Sequence, residues 1–304
     1  MSAVEVCLVR HAQSESNAAG IWQGQGDSPL SEMGRNQVEA LTKSLSTQTF
    51  DLAISSDLSR AADTSRALGL DVEQSRAWRE IDVGDWEGLT MDEVMARFPE
   101  QIEALRDRKP FPIGGGESWP EVFARADAAF SEVRRRLPDG GRAIVFTHGG
   151  IIGSILAGLL GVRDTFPWPL GRMRNTGRTT VRLKRAGVEL VSHNDDSHLR
   201  SGLRQPFEPR PDQVVVKLRT VTSDRVPGTT DFNYAIKSAR KTGAGGVVSV
   251  SGTPSQVAAL AQEASTSVSS EFRFLEPPAG HASELLVSPD HRMLLDYAVP
   301  RTQI

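Results

Sequence analysis

Cysteine is nearly absent. Cys7 stands alone, so the chain can build neither an internal disulfide framework nor a multi-cysteine zinc site. An excess of either charge is also lacking: Lys+Arg number 35 against 38 Asp+Glu, a net charge of -3 with a pI near 6.1. No global basic field draws such a chain to nucleic acid or to an anionic membrane. Long hydrophobic runs are missing. The longest, Ile151 to Val162, is about half the length that a spanning helix needs. The start, Met1-Ser2-Ala3-Val4-Glu5, carries no basic n-region of a signal peptide. What remains is 38% apolar and 24% charged, an ordinary globular composition. The expectation is a soluble, reduced, cytoplasmic protein.

At roughly 150 residues per domain, the 304 residues suggest two domains. The clearest break runs from Arg200 to Gln213, where Pro206, Pro209 and Pro211 sit among polar residues and predict an extended linker at 206–211. All five tryptophans precede it and both tyrosines follow it. A larger domain is expected at 1–205 and a small α+β domain of unknown role at 212–304. In the first, β-branched runs alternate with helical patterns. Strands are predicted over Val4–Val9, Leu52–Ser55 and Ala143–Thr147, with a closing hairpin over Thr179–Leu183 and Val188–Val191. Helices are predicted over Ser31–Leu45, Leu58–Leu68 and Trp119–Leu137, and an apolar helix after His148. That alternation implies a three-layer α/β/α domain with a mostly parallel sheet. In the second, strands are expected at Val214–Val221, Gly246–Val250, Glu271–Leu275 and Met293–Val299. Helices are expected at Asp231–Lys241 and from the Thr253-Pro254-Ser255-Gln256 capping box to Ala264.

Ligands of open α/β sheets bind beyond the carboxyl ends of strands. Three predicted strands end in polar groups: Arg10-His11, Ser55-Ser56-Asp57 and Thr147-His148-Gly149, with Arg60 just beyond the second. A lone histidine is ordinarily a satisfied structural residue. Two histidines and two arginines at converging strand ends are hard to explain by packing.

These residues form an ordered set of motifs. Leu8-Val9-Arg10-His11-Ala12 opens it, then Ser56-Asp57-Leu58-Ser59-Arg60-Ala61, Arg79-Glu80-Ile81-Asp82, Gly115-Gly116-Glu117-Ser118 and Phe146-Thr147-His148-Gly149-Gly150. Asn194-Asp195-Asp196-Ser197-His198-Leu199 closes it. The set resembles the histidine phosphatase superfamily, the clan that includes cofactor-dependent phosphoglycerate mutase, over roughly residues 4–200. The family usually has Arg-His-Gly where this chain has Ala12, another small residue. The resemblance implies that His11 attacks phosphorus and forms a phosphohistidine, splitting one hard step into two. Arg10 and Arg60 offer planar forks for phosphate oxygens, and His148 adds a donor. Asn17, Gln23, Gly24 and the backbone at Gly149 can supply neutral contacts. A carboxyl group must protonate the leaving alkoxide and later deprotonate water. Glu80 matches the family position, and Asp82, on the same face of an extended segment, is a second candidate. A salt bridge from Glu80 to Arg79 or Arg76 is the competing structural role.

No metal and no cofactor is implied. The His193–His198 run, with Asp195 and Asp196, looks like the family's structural closing segment rather than a zinc site. Mutases of the clan typically follow the glutamate with Arg-His-Tyr and a long insertion. Here Ile81-Asp82-Val83 follows, and His148 lies only 68 positions beyond Glu80. That resembles the phosphatase branch. The reading is therefore a phosphomonoesterase for a small organic phosphate ester. The alternatives are a phosphoglycerate mutase and a non-catalytic phospho-ligand scaffold. A run of six basic residues from Arg172 to Arg185 suggests that Arg172 or Arg174 holds a second anionic group. Residues 89–117 are expected to form a lid. Partners beyond the small ester are limited to a possible homodimer.

Overall fold

Alternation in two short strands sets the layers. In β1 (Val4–Arg10), Val6 and Leu8 enter one apolar cluster while Cys7 and Val9 enter another. In β4 (Arg142–Thr147), Ala143 and Val145 join the first, Ile144 and Phe146 the second. Strands apolar on both faces need helices on both. Val122, Ala126 and Val133 of the helix Trp119–Arg136, with Ile151, Ile152 and Ile155 of the helix Gly149–Leu160, cover the first face. Leu41 and Leu45 of the helix Glu32–Leu45 cover the second. The result is the three-layer α/β/α arrangement.

The computed structural model describes residues 2–69, 72–107, 109–164, 170–171, 173–199, 201–204, 214–220, 246–264, 272–274, 281–287 and 292–300. In chain order the remaining strands of the first part are β2 (Leu52–Ser56), β3 (Glu73–Ser75), β5 (Arg178–Lys184) and β6 (Gly187–Asp195). Its helices are α1 (Glu15–Ala18), α2 (Glu32–Leu45), α3 (Ser59–Ser65), α4 (Met91–Arg97), α5 (Pro99–Arg106), α6 (Trp119–Arg136) and α7 (Gly149–Leu160). The strand order is β3-β2-β4-β1-β5-β6. The first four strands are parallel, as expected. β5 runs antiparallel to β1 and β6 to β5, so the sheet as a whole is mixed. The reason is local: two residues, Arg185 and Ala186, connect β5 to β6, and so short a link joins only antiparallel strands.

Beyond residue 204, β7 (Val214–Thr220), β8 (Gly246–Gly252), α8 (Pro254–Ala264), β9 (Phe272–Phe274), β10 (His281–Val287) and β11 (Arg292–Pro300) are described. They take up the outer edge of β6. β9 pairs with it from Val188 to Leu190, and Tyr297 of β11 pairs with His193. Val257 and Ala261 of α8 and Tyr297 of β11 are fully buried in the first apolar cluster. The Thr253 capping box forms, with Gln256 N donating to Thr253 Oγ1 (3.3 Å) and Thr253 N to Gln256 Oε1 (3.0 Å). The expected linker at 206–211 and helix at 231–241 lie outside the described residues. Among the described residues no helix is long and apolar enough to cross a membrane.

The segment 89–117 folds as α4, α5 and a loop docked beside Glu80. Gly114 lies so close to residue 83 that a Cβ on it would sit 2.0 Å from the Val83 carbonyl oxygen. Trp86 packs edge-on against Trp22 at 5.5 Å and, tilted, against Phe98 at 6.3 Å.

Candidate active site

The parallel pairing of Arg10 with Thr147 brings the next residue of each strand, His11 and His148, to the same level of the sheet. Their ring centroids are 5.1 Å apart, and both side chains are buried. His11 Nδ1 lies 2.7 Å from the Ala12 carbonyl oxygen. A carbonyl only accepts, so the proton resides on Nδ1 and Nε2 keeps its lone pair. Burial pushes the His11 imidazole well below its ordinary pKa, and Arg10 and Arg60 push the same way. A neutral imidazole with an unprotonated Nε2 results.

Arg60 arrives on the first turn of α3, directly beyond β2, and is 1% exposed. Nη1 donates to Gly26 O and Nη2 to Gly24 O, both at 2.8 Å. Its Nε has no partner among the described residues. Arg10 Nη1 donates to Met173 O at 2.6 Å. The backbone therefore aims both guanidinium groups before any ligand arrives. Two amides are oriented in the same sense. Asn17 Oδ1 accepts from Asn175 Nδ2 (3.1 Å), and Gln23 Oε1 accepts from Ser14 Oγ (2.9 Å). With their oxygens tied back, both offer a ligand N–H donors. Gly149 adds the first N–H of α7 and lies beside the Arg10 side chain. Unpaired N–H groups at a helix start favour an anion.

Glu80 reaches the same helix start. Its Oε2 accepts from Gly150 N at 3.2 Å and its Oε1 from Ile81 N at 3.0 Å. The competing salt bridges are formed elsewhere: Arg79 grips Asp57 through two hydrogen bonds of 2.8 and 2.7 Å, and Arg76 lies 3.7 Å from the same carboxylate. The Arg79 hydrogen bond holds the Asp57 carboxyl below its usual range. Asp82 is occupied differently, its Oδ1 accepting from Gly84 N at 3.0 Å in a local turn.

The comparisons with known proteins agree with this geometry. Residues 6–196 match the model of the histidine phosphatase superfamily, branch 1. The chain belongs to that superfamily. It is 38% identical to the glucosyl-3-phosphoglycerate phosphatase of Mycolicibacterium vanbaalenii over 55% of this chain and 79% of that one. It is 31% identical to phosphoserine phosphatase 1 of Hydrogenobacter thermophilus over 64% of this chain and 94% of that one. A solved mycobacterial glucosyl-3-phosphoglycerate phosphatase with bound VO3 superposes with a TM-score of 0.52 at 33% identity, over 58% of this chain and 92% of that one. This histidine phosphatase is a phosphoric monoester hydrolase.

Several residues that hold the histidine phosphatase site together carry no plain signal in the sequence. Asn175, 2% exposed, donates to both His11 O (2.9 Å) and Asn17 Oδ1. Thr64 Oγ1 accepts from Ala12 N at 2.9 Å. Arg125 donates to Arg79 O (2.8 Å) and Glu80 O (3.3 Å) while gripping Glu117 at 2.8 and 2.6 Å, so an α6 side chain positions the Glu80 backbone. Arg172 lies outside the described residues. The rest of the basic run is largely neutralised: Arg174 lies 3.5 Å from buried Asp196, Arg178 2.7 Å from Asp195, and Arg182 and Lys184 bind Glu189. The closing segment fastens the loop behind His11. Asn194 Oδ1 accepts from Arg174 N at 2.7 Å, and His198 Nε2 lies 3.0 Å from Thr176 Oγ1. Burial drives the neighbouring His193 down to about 3. Among the described residues no group of His, Cys, Asp and Glu could hold a metal ion.

Gly150 supplies a direct test. A Cβ there would lie 2.4 Å from Glu80 Oε1, so Gly150→Ala must displace the carboxylate. Alanine suits a helix better than glycine, but the same Cβ would press on buried Ile81 Cδ1 at 2.7 Å. The expected outcome is a kcat lowered by about 10²-fold with a small fall in Tm, read by steady-state kinetics beside thermal unfolding.

Proposed function

We propose that this phosphatase works through a phosphohistidine on His11. The observation that carries the reading is the 2.7 Å approach of His11 Nδ1 to the Ala12 carbonyl, which assigns the proton to Nδ1 and leaves the Nε2 lone pair beside a second imidazole in a site rich in donors. That lone pair attacks phosphorus and the P–O ester bond breaks. Glu80 gives its proton to the departing alkoxide. Water then attacks the phosphohistidine, its proton passes to the Glu80 carboxylate, the P–N bond breaks, and inorganic phosphate leaves. Arg10, Arg60, His148 and the amides of Asn17 and Gln23 hold the three equatorial oxygens, whose charge dominates such a transition state. Asp82 shapes the turn that follows Glu80. The docked segment 89–117 walls the leaving-group side. The lone cysteine, half-buried Cys7, suits a reducing cytoplasmic setting.

For the substrate we infer a phosphate monoester of a small hydroxy acid. The named relatives act on glucosyl-3-phosphoglycerate and phosphoserine, and both esters carry a carboxylate beside the phosphate. A phosphate-release panel tests this. Phosphoserine, 3-phosphoglycerate and glucosyl-3-phosphoglycerate should include the best substrate, with kcat/KM at least about tenfold above glycerol phosphate, the value of one good interaction. A best substrate without a carboxylate would overturn the substrate class. Accumulation of 2-phosphoglycerate from 3-phosphoglycerate, without free phosphate, would make the enzyme a mutase.

A further inference from the structure

The second imidazole presents a proton-counting problem. His148 is fully buried, and its Nε2 lies 2.9 Å from Ser56 Oγ. Its Nδ1, also buried, has no partner among the described residues. Burial, then Arg60, His11 and Arg10, hold this ring well below its ordinary pKa, so it rests neutral with a single N–H. With Nε2 against Ser56, Nδ1 is the ring nitrogen left for a ligand. If the proton sat on Nε2, Nδ1 could offer phosphoryl oxygens only a lone pair, which repels them. If it sits on Nδ1, the ring donates without being charged.

Ser56 decides between the two. Its side chain is inaccessible to solvent, so no water competes for the hydroxyl. Its Oγ accepts the Leu58 N–H at 3.3 Å. Among the described residues its one hydrogen has no acceptor other than His148 Nε2, so an Nε2–H ring would leave that buried hydrogen unsatisfied. A nitrogen that accepts cannot also carry the ring proton. We propose that Ser56 is a positioning residue, whose hydroxyl holds His148 in the Nδ1–H tautomer and so makes a neutral ring a donor to the phosphoryl group. The proposal builds on the phosphohistidine reading and adds a role for a strand-end serine that touches no substrate.

The test uses the full chain with 15N-labelled histidine. Long-range imidazole correlations of the ligand-free enzyme should show His148 protonated at Nδ1 and bare at Nε2. This needs no variant and no turnover. In Ser56→Ala the tautomers should mix, and kcat for p-nitrophenyl phosphate should fall about tenfold, below the loss from deleting a whole donor. Ser56→Thr, which keeps the hydroxyl, should restore the single tautomer and most of kcat. An Nε2–H ring in the unaltered enzyme overturns the proposal. So does a Ser56→Ala enzyme with the same tautomer and a kcat within about twofold. Full turnover by His11→Ala would overturn the phosphohistidine reading, whereas the nitrogen spectra report on Ser56 alone.

Discussion

His11→Ala should lower turnover of p-nitrophenyl phosphate by roughly 10⁴-fold or more, the scale of loss when a covalent nucleophile is deleted. The effect follows from the division of labour in the site. The cationic and neutral donors are held by other parts of the chain: Arg60 by the carbonyls of Gly24 and Gly26, Arg10 by that of Met173, and Asn17 by Asn175. Their arrangement does not depend on the imidazole. The variant should therefore still bind vanadate or inorganic phosphate while losing chemistry, a large fall in kcat beside a modest change in affinity. Rapid alkaline quench with labelled ester should trap a phosphoryl adduct in the unaltered enzyme, stable to base and released by acid, and none in His11→Ala. An adduct of the same size in the variant would place the nucleophile elsewhere.

The second large effect concerns the proton. Glu80→Gln keeps the size of the side chain and an oxygen for the Gly150 N–H, but removes the transferable proton. For an alkyl phosphate, kcat should fall by about 10²–10⁴-fold, the usual worth of general acid–base catalysis. Cleavage of p-nitrophenyl phosphate releases a phenolate that scarcely needs protonation, so formation of the phosphoenzyme should suffer far less. Hydrolysis of that intermediate still requires a base, and the adduct should accumulate in the variant. Asp82→Asn provides the contrast. Asp82 Oδ1 caps the Gly84 turn, and asparagine keeps that acceptor, so the variant should fold normally with kcat within about threefold of the unaltered enzyme. A reversal of the two phenotypes would assign the proton to Asp82.

The groups proposed to be catalytic are legible because strand ends can be read from short apolar runs. Arg10, His11 and His148 each follow a β-branched or aromatic stretch, and parallel pairing brings such ends together. Glu80 was legible only through family resemblance, since it lies in an irregular segment between short elements. What positions it comes from residues distant in the chain, and no local period announces the grip of Arg125 on Arg79 and Glu80 or the bridge that Asn175 makes. The two carboxylates that spacing placed on one face take separate tasks, because a helix start lies beside Glu80 and a turn follows Asp82. The basic run 172–185 invited a reading as a second anion site. Arg174, Arg178, Arg182 and Lys184 instead pair with carboxylates of β1 and β6 and of the segment after β6, pairings set by register rather than by composition, and Arg172 lies outside the described residues. The antiparallel half of the sheet was written in the two-residue turn at 185–186. The strand at His281–Val287 was not, because His281-Ala282-Ser283-Glu284 has neither β-branched residues nor strict alternation.

Completion of β6 from its far side has an effect on how the molecule behaves among its copies. With β9 along residues 188–190 and Tyr297 opposite His193, the backbone there has its partners within one chain. Cut after residue 204, the same enzyme core would offer those amides and carbonyls to any neighbour, and self-association would then rise with concentration. β9 and β11 thus cover a stretch of sheet edge that the catalytic part would otherwise expose.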